Sequence, residues 1–198
     1  MKKLFYIKTA LVSLMATALF SSCLKDNSRY VNFAADVPVV DFPLVAVKNT
    51  SLQTATISAA ATTNTINAEI SVSNSKDLTT TTAVTVSIDA AALTAAYGVA
   101  YTLLPASTYT VVGSLTANII PGISQRAAPT EPIVGTPAVL PTSLGAVSFN
   151  VNTAAVQALM TANPGVTYVL PLTITGAVGN GAVIDQFHTL YYKIVVGP

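Results

Sequence analysis

The sequence has 198 residues, of which 9% are charged and 52% are hydrophobic, and its formal net charge at pH 7 is +1. Soluble domains average about 25% charged residues, and the basic residues here form no patch that could neutralise phosphates, which argues against nucleic acid as a partner. The apolar fraction is too high for a disordered chain. Because threonine, valine and isoleucine favour strands, the composition predicts an all-β domain.

The N-terminal segment has the order of a secretory signal. Lysines precede an apolar run at residues 9–20, which is too short to cross a hydrocarbon core of about 30 Å, and two serines then lead to Cys23, the only cysteine. This order resembles a bacterial lipoprotein signal, in which the cysteine is acylated. We therefore predict a signal peptide at residues 1–22 and a covalent lipid on Cys23. A cysteine beside an ordinary cleavage site is the alternative.

Residues 23–41 are predicted to be a lipidated tether. The pair Lys25-Asp26 follows the cysteine closely, and it resembles the surface-export signal of Bacteroidetes lipoproteins. A solvated linker is the alternative explanation of this pair. The expected location is the outer membrane, as a lipoprotein that faces the cell surface, with the periplasmic face as the alternative.

Alternation of apolar and polar residues predicts strands in the first half of the chain. Strands are expected at residues 42–47, 54–59, 68–73 and 83–89. The third of these would turn Glu69 and Ser71 toward solvent. A cluster of turn-forming residues at 74–77 separates the last two strands and predicts that they form an antiparallel hairpin.

Two short helices are predicted at crossings between strands. The first covers residues 90–97, with Asp89 as its N-cap and Gly98 as its stop, and it would cross the end of the sandwich. The second covers residues 153–162, with Thr153 as its N-cap. Both segments lose the alternation that marks the strands on either side.

The remaining strands predict an immunoglobulin-like antiparallel β-sandwich with one or two short helices at the crossings, which would cover residues 42–198. These strands are expected at residues 108–112, 115–120, 147–151, 166–177 and 189–196. Residues 121–142 lack periodicity and are rich in proline, which cannot donate to a strand ladder, so they are predicted to be a long insertion.

Three stretches carry a family resemblance. They are residues 89–109, with tyrosines at both ends of a Leu-Pro pair, the Ile-Ile-Pro-Gly run at 119–122, and Tyr-Val-Leu-Pro-Leu-Thr-Ile at 168–174. Together they resemble the immunoglobulin-like domain of unknown function number seventeen-thirty-five, found at the N-terminus of many Bacteroidetes surface lipoproteins. The resemblance covers roughly residues 40–196 and implies the sandwich fold. Members often precede a glycan-binding or glycosidase domain, whereas the proline-rich insertion departs from the family pattern.

Signals of an enzyme are scarce. His188 is the only histidine, so a multi-histidine zinc site cannot form, and no nucleophile elbow, phosphate loop or calcium loop occurs. Glycoside hydrolysis needs two carboxylates a set distance apart, yet each acidic residue fits a predicted tether, turn, cap or solvent face. We predict that the protein is not an enzyme, binds no metal and carries no cofactor apart from the lipid on Cys23.

Aromatic rings are the expected platforms for sugars, because a ring face can stack on the apolar face of a pyranose. The sequence has no tryptophan. Tyr191 and Tyr192 are adjacent in the last predicted strand, so one of them must point outward, and they are the candidate ligand-binding residues. An isolated surface tyrosine is the alternative. The aromatic residues without a predicted corner role are Tyr30, Phe33, Phe42, Phe149, Phe187, Tyr191 and Tyr192.

Two functions of different classes follow. The first is a non-catalytic outer-membrane or cell-surface lipoprotein that binds glycan or is accessory to a polysaccharide-uptake complex. Its expected partners are the outer membrane, a polysaccharide or an importer complex. The alternative is a structural or adhesive surface protein that acts through protein-protein contacts, for which the insertion at residues 121–142 is either a docking arm or a passive loop.

Overall fold

The computed structural model describes residues 38–73, 80–120, 133–134, 144–179, 181–183 and 185–198. The predicted signal peptide, Cys23, most of the predicted tether and most of the insertion lie outside these residues. The strands are β1 (Val39–Asp41), β2 (Leu52–Ser58), β3 (Thr63–Ser73), β4 (Thr82–Ile88), β5 (Thr102–Leu103), β6 (Tyr109–Val112), β7 (Thr116–Ile119), β8 (Ile133–Val134), β9 (Leu144–Asn152), β10 (Tyr168–Val178), β11 (Ala182–Val183) and β12 (Thr189–Gly197). The helices are α1 (Pro43–Lys48), α2 (Ala90–Tyr97) and α3 (Thr153–Ala162), and a 3-10 turn covers Ala106–Thr108.

The strands form two sheets packed as a sandwich. Sheet A has the order β11-β1-β3-β9-β6, with β8 also paired to β3, and sheet B has the order β2-β12-β10-β4-β7, with β5 also paired to β10. Strands β1, β3, β9 and β6 occupy the places of A, B, E and D in an immunoglobulin domain, and β12, β10 and β4 those of G, F and C. The predicted immunoglobulin-like sandwich is therefore confirmed. Three pairs, β1 with β11, β2 with β12 and β5 with β10, are parallel.

Strands β6 and β7 act as one edge strand that changes sheet. The first pairs with β9 in sheet A and the second pairs with β4 in sheet B. Between them lies Gly113, whose φ of 74° is left-handed backbone that glycine adopts without strain. Strands that switch sheets at such bends form the corners of many sandwiches. The predicted pair of strands around Gly113 is confirmed.

Inward-facing apolar residues of both sheets form one core. Most residues on the apolar faces that alternation predicts are buried there: Ala55, Ile57, Ala68, Ile70, Val72, Val84, Val86, Val147, Phe149 and Val151. Two residues differ, since Ile88 is half-buried and Ala59, beyond the end of β2, is exposed. Alternation has a period of two in a strand, so a buried face is specified residue by residue. This part of the sequence prediction is confirmed.

The predicted hairpin between the third and fourth strands is wrong. β3 lies in sheet A, where it pairs with β1, β8 and β9, whereas β4 lies in sheet B between β10 and β7. Alternation shows that a strand has one buried face, but it does not show which of the two sheets the strand belongs to. Both strands bury their apolar side in the same core from opposite sides.

The predicted strand at residues 42–47 is also wrong, because Pro43–Lys48 form helix α1. Proline fits the first turn of a helix, where its missing N–H has no partner to lose. The burial of successive residues Pro43, Leu44 and Val45 is helical and does not alternate. Strand β1 precedes this helix, so sheet A begins before the predicted boundary at residue 42.

The two predicted helices are confirmed. The Asp89 carboxylate accepts a hydrogen bond from Ala92 N at 2.9 Å and caps α2. α3 is capped by Asn152, whose Oδ1 accepts from Ala155 N, and the predicted cap Thr153 is instead a buried residue of the first turn. α2 lies on the outer face of sheet B and does not cross the end of the sandwich, since Leu93 packs there on Val169 and Tyr191. No helix in the described part of the chain is long and apolar enough to span a bilayer.

Candidate functional site

Tyr191 and Tyr192 face opposite sides of sheet B, as alternation requires. Tyr192 points into the main core with 1% of its surface exposed, and its hydroxyl donates to Asn67 O at 3.2 Å. Tyr191 points outward but is 5% exposed, and its hydroxyl donates to Ala92 O at 3.1 Å. Burial raises the pKa of both phenols above the usual 10.

The expected exposed tyrosine ring is absent, which corrects the prediction. Helix α2 covers the outer face of β12 at this point, so Leu93 and Tyr97 pack over Tyr191. The ring centroids of Tyr97 and Tyr191 are 5.1 Å apart in an edge-to-face arrangement, and those of Tyr97 and Tyr101 are also 5.1 Å apart. The two candidate tyrosines therefore hold the fold together and offer no ring face to a ligand.

A cleft lies instead beside Phe187, at the end of the sandwich where β2 and β12 begin. We name it the Phe187 cleft; its cavity has a volume of about 380 Å³ and it is lined by Val45, Asn49, Thr50, Ser51, Gln186 and Phe187. Two segments distant in sequence meet here. One joins α1 to β2 and the other leads into β12.

Hydrogen bonds to the main chain hold the first segment in place. Asn49 ends α1 in the left-handed conformation, with φ 52°, which asparagine tolerates better than most residues. The Gln53 side chain donates to Thr50 O at 2.7 Å. Ser51 O accepts from Tyr191 N at 2.8 Å, which ties the segment to β12.

The second segment is tied to the core by Phe187. Its main-chain oxygen accepts from Phe42 N at 3.1 Å, and its half-buried ring packs against the main core. Asp185 O lies against Nδ1 of His188 at 2.5 Å, which holds the backbone just before β12. The aromatic ring of Phe187 is thus positioned by both main-chain and side-chain contacts.

The lining of the Phe187 cleft is uncharged. Asn49 and Gln186 are exposed, and their side-chain amides make no hydrogen bond to any described residue. Thr50 and Ser51 add hydroxyls, and Phe187 adds one aromatic ring. This combination suits a neutral ligand that has both hydroxyl groups and an apolar face. The sequence showed Phe187 only as an unassigned aromatic, because the turn that brings it to Asn49 has no periodic pattern.

The described carboxylates lie outside this cleft. Asp41 and Glu69 share the outer face of sheet A. Asp41 was expected in the tether and Glu69 on a solvent face, but both side chains are buried, with relative exposures of 0% and 9%. Ser71 is also buried, and its hydroxyl donates to Asp41 Oδ1 at 2.5 Å. Buried, hydrogen-bonded carboxylates are poorly placed to meet a substrate. Among the described residues no group of three or more histidine, cysteine, aspartate or glutamate side chains could hold a metal ion.

Comparison with known proteins supports the family and the fold. A family model described as an N-terminal domain matches residues 31–181. No curated protein matches the chain. A two-domain protein of unknown function from Bacteroides fragilis is similar in structure, with a TM-score of 0.50 and 10% identity over 87% of this chain and 50% of that chain.

Two structures from Bacteroides ovatus show weaker likeness. A multidomain protein including DUF1735 has a TM-score of 0.49 and 16% identity, over 74% of this chain and 41% of that chain. A proposed carbohydrate-binding protein has a TM-score of 0.47 and 15% identity, over 79% of this chain and 36% of that chain. The chain thus spans about half or less of the length of these structures.

Proposed function

The chain belongs to this family of N-terminal domains, and on that premise we propose that it is a non-catalytic accessory protein, of the Bacteroidetes DUF1735 type that its sequence resembles, and that it binds neutral glycan. The observation that carries the proposal is the Phe187 cleft, which is lined by one aromatic ring and by the exposed side-chain amides of Asn49 and Gln186. Ligand sites in proteins combine apolar and aromatic surface with a few convergent polar groups. This cleft has that composition.

The chemistry of the lining favours a sugar over a charged ligand. A pyranose has an apolar C–H face that can lie on the Phe187 ring, and its hydroxyls both donate and accept. Amides and hydroxyls match that requirement because each of them can donate and accept as well. A charged ligand would lose its hydration without gaining an opposite charge from any lining residue.

The proposal includes a lipid anchor on Cys23 and a place on the outer membrane facing outward, beside an importer of polysaccharide. The N-terminal signal pattern and the residues after Cys23 support the anchor and the location. The family supports the link to glycan. In this arrangement the cleft would hold a glycan near the importer, and the carboxylates of the described residues would take no part in cleaving it.

Affinity electrophoresis of the full-length protein tests glycan binding. Migration is compared in gels that contain a neutral β-glucan, a neutral α-mannan or the acidic polymer polygalacturonate. We expect retardation in at least one neutral gel and none in the acidic gel. Release of new reducing ends from any of these polymers would contradict the non-catalytic role.

Three variants locate the binding site in the same gels. Phe187→Leu keeps apolar packing but removes the ring, and we expect about three- to tenfold weaker binding, the value of an aromatic contact. Asn49→Gly removes an amide and keeps the left-handed backbone, and Gln186→Ala removes the other amide. Thr54→Val, at an exposed position of β2, is the control. Equal retardation of all four variants and the wild type would show that this cleft is not the site.

A second function has its own supporting observation. Three large apolar residues are exposed, with relative exposures of 101% for Val99, 37% for Leu103 and 38% for Val166. A hydrogen bond from Thr102 N to Thr167 O joins the segments that carry Leu103 and Val166. Such an apolar patch favours an adhesive role through contact with a second copy of the chain. Light scattering of the wild type and of Val99→Ser tests it; a monomer at all concentrations would reject it.

A further inference from the structure

A second cleft lies at the other end of the sandwich, where β2 ends and β3 begins. Its cavity has a volume of about 270 Å³, and we name it the asparagine cleft; it is lined by Thr63, Ser107, Thr108, Tyr109, Thr110, Asn150 and Asn152. The Phe187 cleft lies where β2 begins, so the length of the sandwich separates the two. The glycan proposal does not use any of these residues.

Strand register builds the floor of the asparagine cleft. Asn150 and Asn152 are two residues apart on β9, so they share one face. Thr110 of β6 stands opposite Asn150, and Thr63 of β3 stands opposite Asn152. Four polar side chains are thus held on three hydrogen-bonded strands.

The two asparagines differ in the use of their amide atoms: the oxygens have partners in the fold, and the nitrogens are left for a ligand. Asn150 Oδ1 accepts from the Thr65 hydroxyl at 2.8 Å, and Asn152 Oδ1 accepts from Ala155 N at 3.0 Å. Each carboxamide oxygen is therefore engaged within the fold. Each Nδ2 makes no hydrogen bond to a described residue, so two amide N–H2 groups remain for a ligand.

The wall of the cleft adds hydroxyls and an aromatic ring. The Thr108 hydroxyl is used internally, since it donates to Pro105 O at 2.7 Å, whereas those of Thr63, Ser107 and Thr110 make no hydrogen bond within the described part of the chain. Tyr109 is half-buried, with its ring edge-to-face to Phe149 at a centroid distance of 6.0 Å. No lining residue is charged.

We propose that the asparagine cleft binds an N-acetylated amino sugar. A site rich in N–H donors needs a ligand with a strong acceptor, and the carbonyl of an acetamido group is a better acceptor than a hydroxyl. An extended peptide also carries such carbonyls, but it binds by pairing with a free strand edge. β9, which carries both asparagines, is paired on both sides by β3 and β6, so a peptide could add a strand only at the outer edge of β6, one strand farther from these donors.

Calorimetry with two matched trisaccharides tests the proposal on the full-length protein. Tri-N-acetylchitotriose and cellotriose share the same β-1,4-linked backbone and differ at carbon 2, which carries acetamido in the first and hydroxyl in the second. We expect tri-N-acetylchitotriose to bind and cellotriose to bind with an affinity at least about tenfold lower. That difference corresponds to the loss of one or two hydrogen bonds. Equal affinity for the two sugars, or no binding of either, would overturn the proposal.

Asn150→Asp is the sharpest variant, because it keeps the oxygen that accepts from Thr65 and replaces the N–H2 donor by oxygen. We expect at least tenfold loss of affinity for tri-N-acetylchitotriose, and a smaller loss for Thr110→Val, while Thr54→Val binds as the wild type does. Unchanged thermal unfolding of each variant shows that the fold is intact. Wild-type affinity in Asn150→Asp would overturn the assignment.

The Phe187→Leu background separates this site from the Phe187 cleft. If tri-N-acetylchitotriose binds at the asparagine cleft, its affinity survives in Phe187→Leu and is lost in Phe187→Leu combined with Asn150→Asp. Loss of binding in Phe187→Leu alone would place the sugar in the first cleft and overturn the second site. A tri-alanine peptide that binds in place of the sugar would also overturn it.

Discussion

Hydrogen bonds from their hydroxyls help to hold Tyr191 and Tyr192 in the interior of the fold. Tyr191 and Tyr192 each direct a hydroxyl to a main-chain oxygen on another element, Ala92 O of α2 and Asn67 O of β3. Tyr192 thereby links sheet B to sheet A across the core. A buried phenol with such a partner contributes packing area as well as a hydrogen bond, which explains why neither ring is left for a ligand.

Tyr192→Phe should destabilise the fold. The variant keeps the ring and removes only the hydroxyl, so the hydrogen bond to Asn67 O is lost, and we expect a loss of about 1 kcal/mol in the free energy of unfolding. Urea titration followed by circular dichroism measures it. Tyr97→Phe is the control, since no described residue accepts a hydrogen bond from that hydroxyl. Equal midpoints for the two variants would contradict this role.

The buried phenol of Tyr192 should also make the stability of the fold decrease at alkaline pH. Burial raises the pKa of Tyr192 above its ordinary value of 10, so the folded state holds this proton more tightly than the unfolded state does. Stability from this group is complete below pH 10 and falls as pH rises above 10, because unfolding then releases a proton. Tyr192→Phe should flatten the fall in urea midpoint between pH 9.5 and 11. A slope equal to that of the wild type would be the opposite result.

At the scale of elements, close approach and capping fix how helices and strands sit on the sheets. Strand β9 passes so close to β7 that a Cβ on Gly145 would lie 3.0 Å from Ile119 Cγ1 and 3.2 Å from Ala117 Cβ. α2 depends on its Asp89 cap and shields Tyr191. Each contact is local, yet each sets the position of a whole element.

Gly145→Ala should cost about 1–3 kcal/mol, the range for overpacking a well-packed core. The added methyl would press on side chains that are anchored in the core and have little room to move. Gly176→Ala in β10 is a matched control, because a Cβ there would meet no atom within 4 Å. Chemical unfolding of both variants gives the comparison, and a neutral Gly145→Ala would show that β7 and β9 can separate.

Asp89→Ala should weaken helix α2 by about 1 kcal/mol, the usual value of an N-cap. Asp89→Asn is the control, since its side-chain oxygen can still accept from Ala92 N. Hydrogen exchange at the amides of α2 reports the local change, and Tyr191 should gain solvent contact in Asp89→Ala alone. Equal exchange in the two variants would indicate that packing on Val169 and Tyr191 suffices without the cap.

The sequence predicted which face of a strand is buried better than it predicted which strands are neighbours in a sheet. Period-two alternation identified the buried residues of β3, β4 and β9, because that pattern is local. It could not assign β3 and β4 to different sheets, since sheet membership depends on contacts far apart in sequence. The helix after Phe42 was missed because Pro43-Leu44-Val45 is apolar without a clear period. The Phe187 cleft was missed because it forms only when two non-periodic segments meet.

For the whole molecule, the charge pattern and the two clefts support one picture. Charged residues are 9% of the chain, and neither cleft is lined by any of them. Threonine, serine, asparagine and glutamine supply the polar groups of the two clefts, so both clefts are suited to neutral ligands. A protein with two separated neutral sites could hold one glycan chain at two points, which raises its overall affinity by effective concentration.

The lipid anchor is a property of the whole molecule, and Cys23→Ser tests it. The wild type should partition into the detergent phase of Triton X-114 and gain the mass of a lipid at Cys23. The variant should lose both properties, because Cys23 is the only cysteine. Ser22→Ala leaves the cysteine in place and is the control. A wild-type protein that stays in the aqueous phase, with a thiol that reacts with maleimide, would remove the anchor and the membrane location from the proposal, while the two clefts would keep their separate tests.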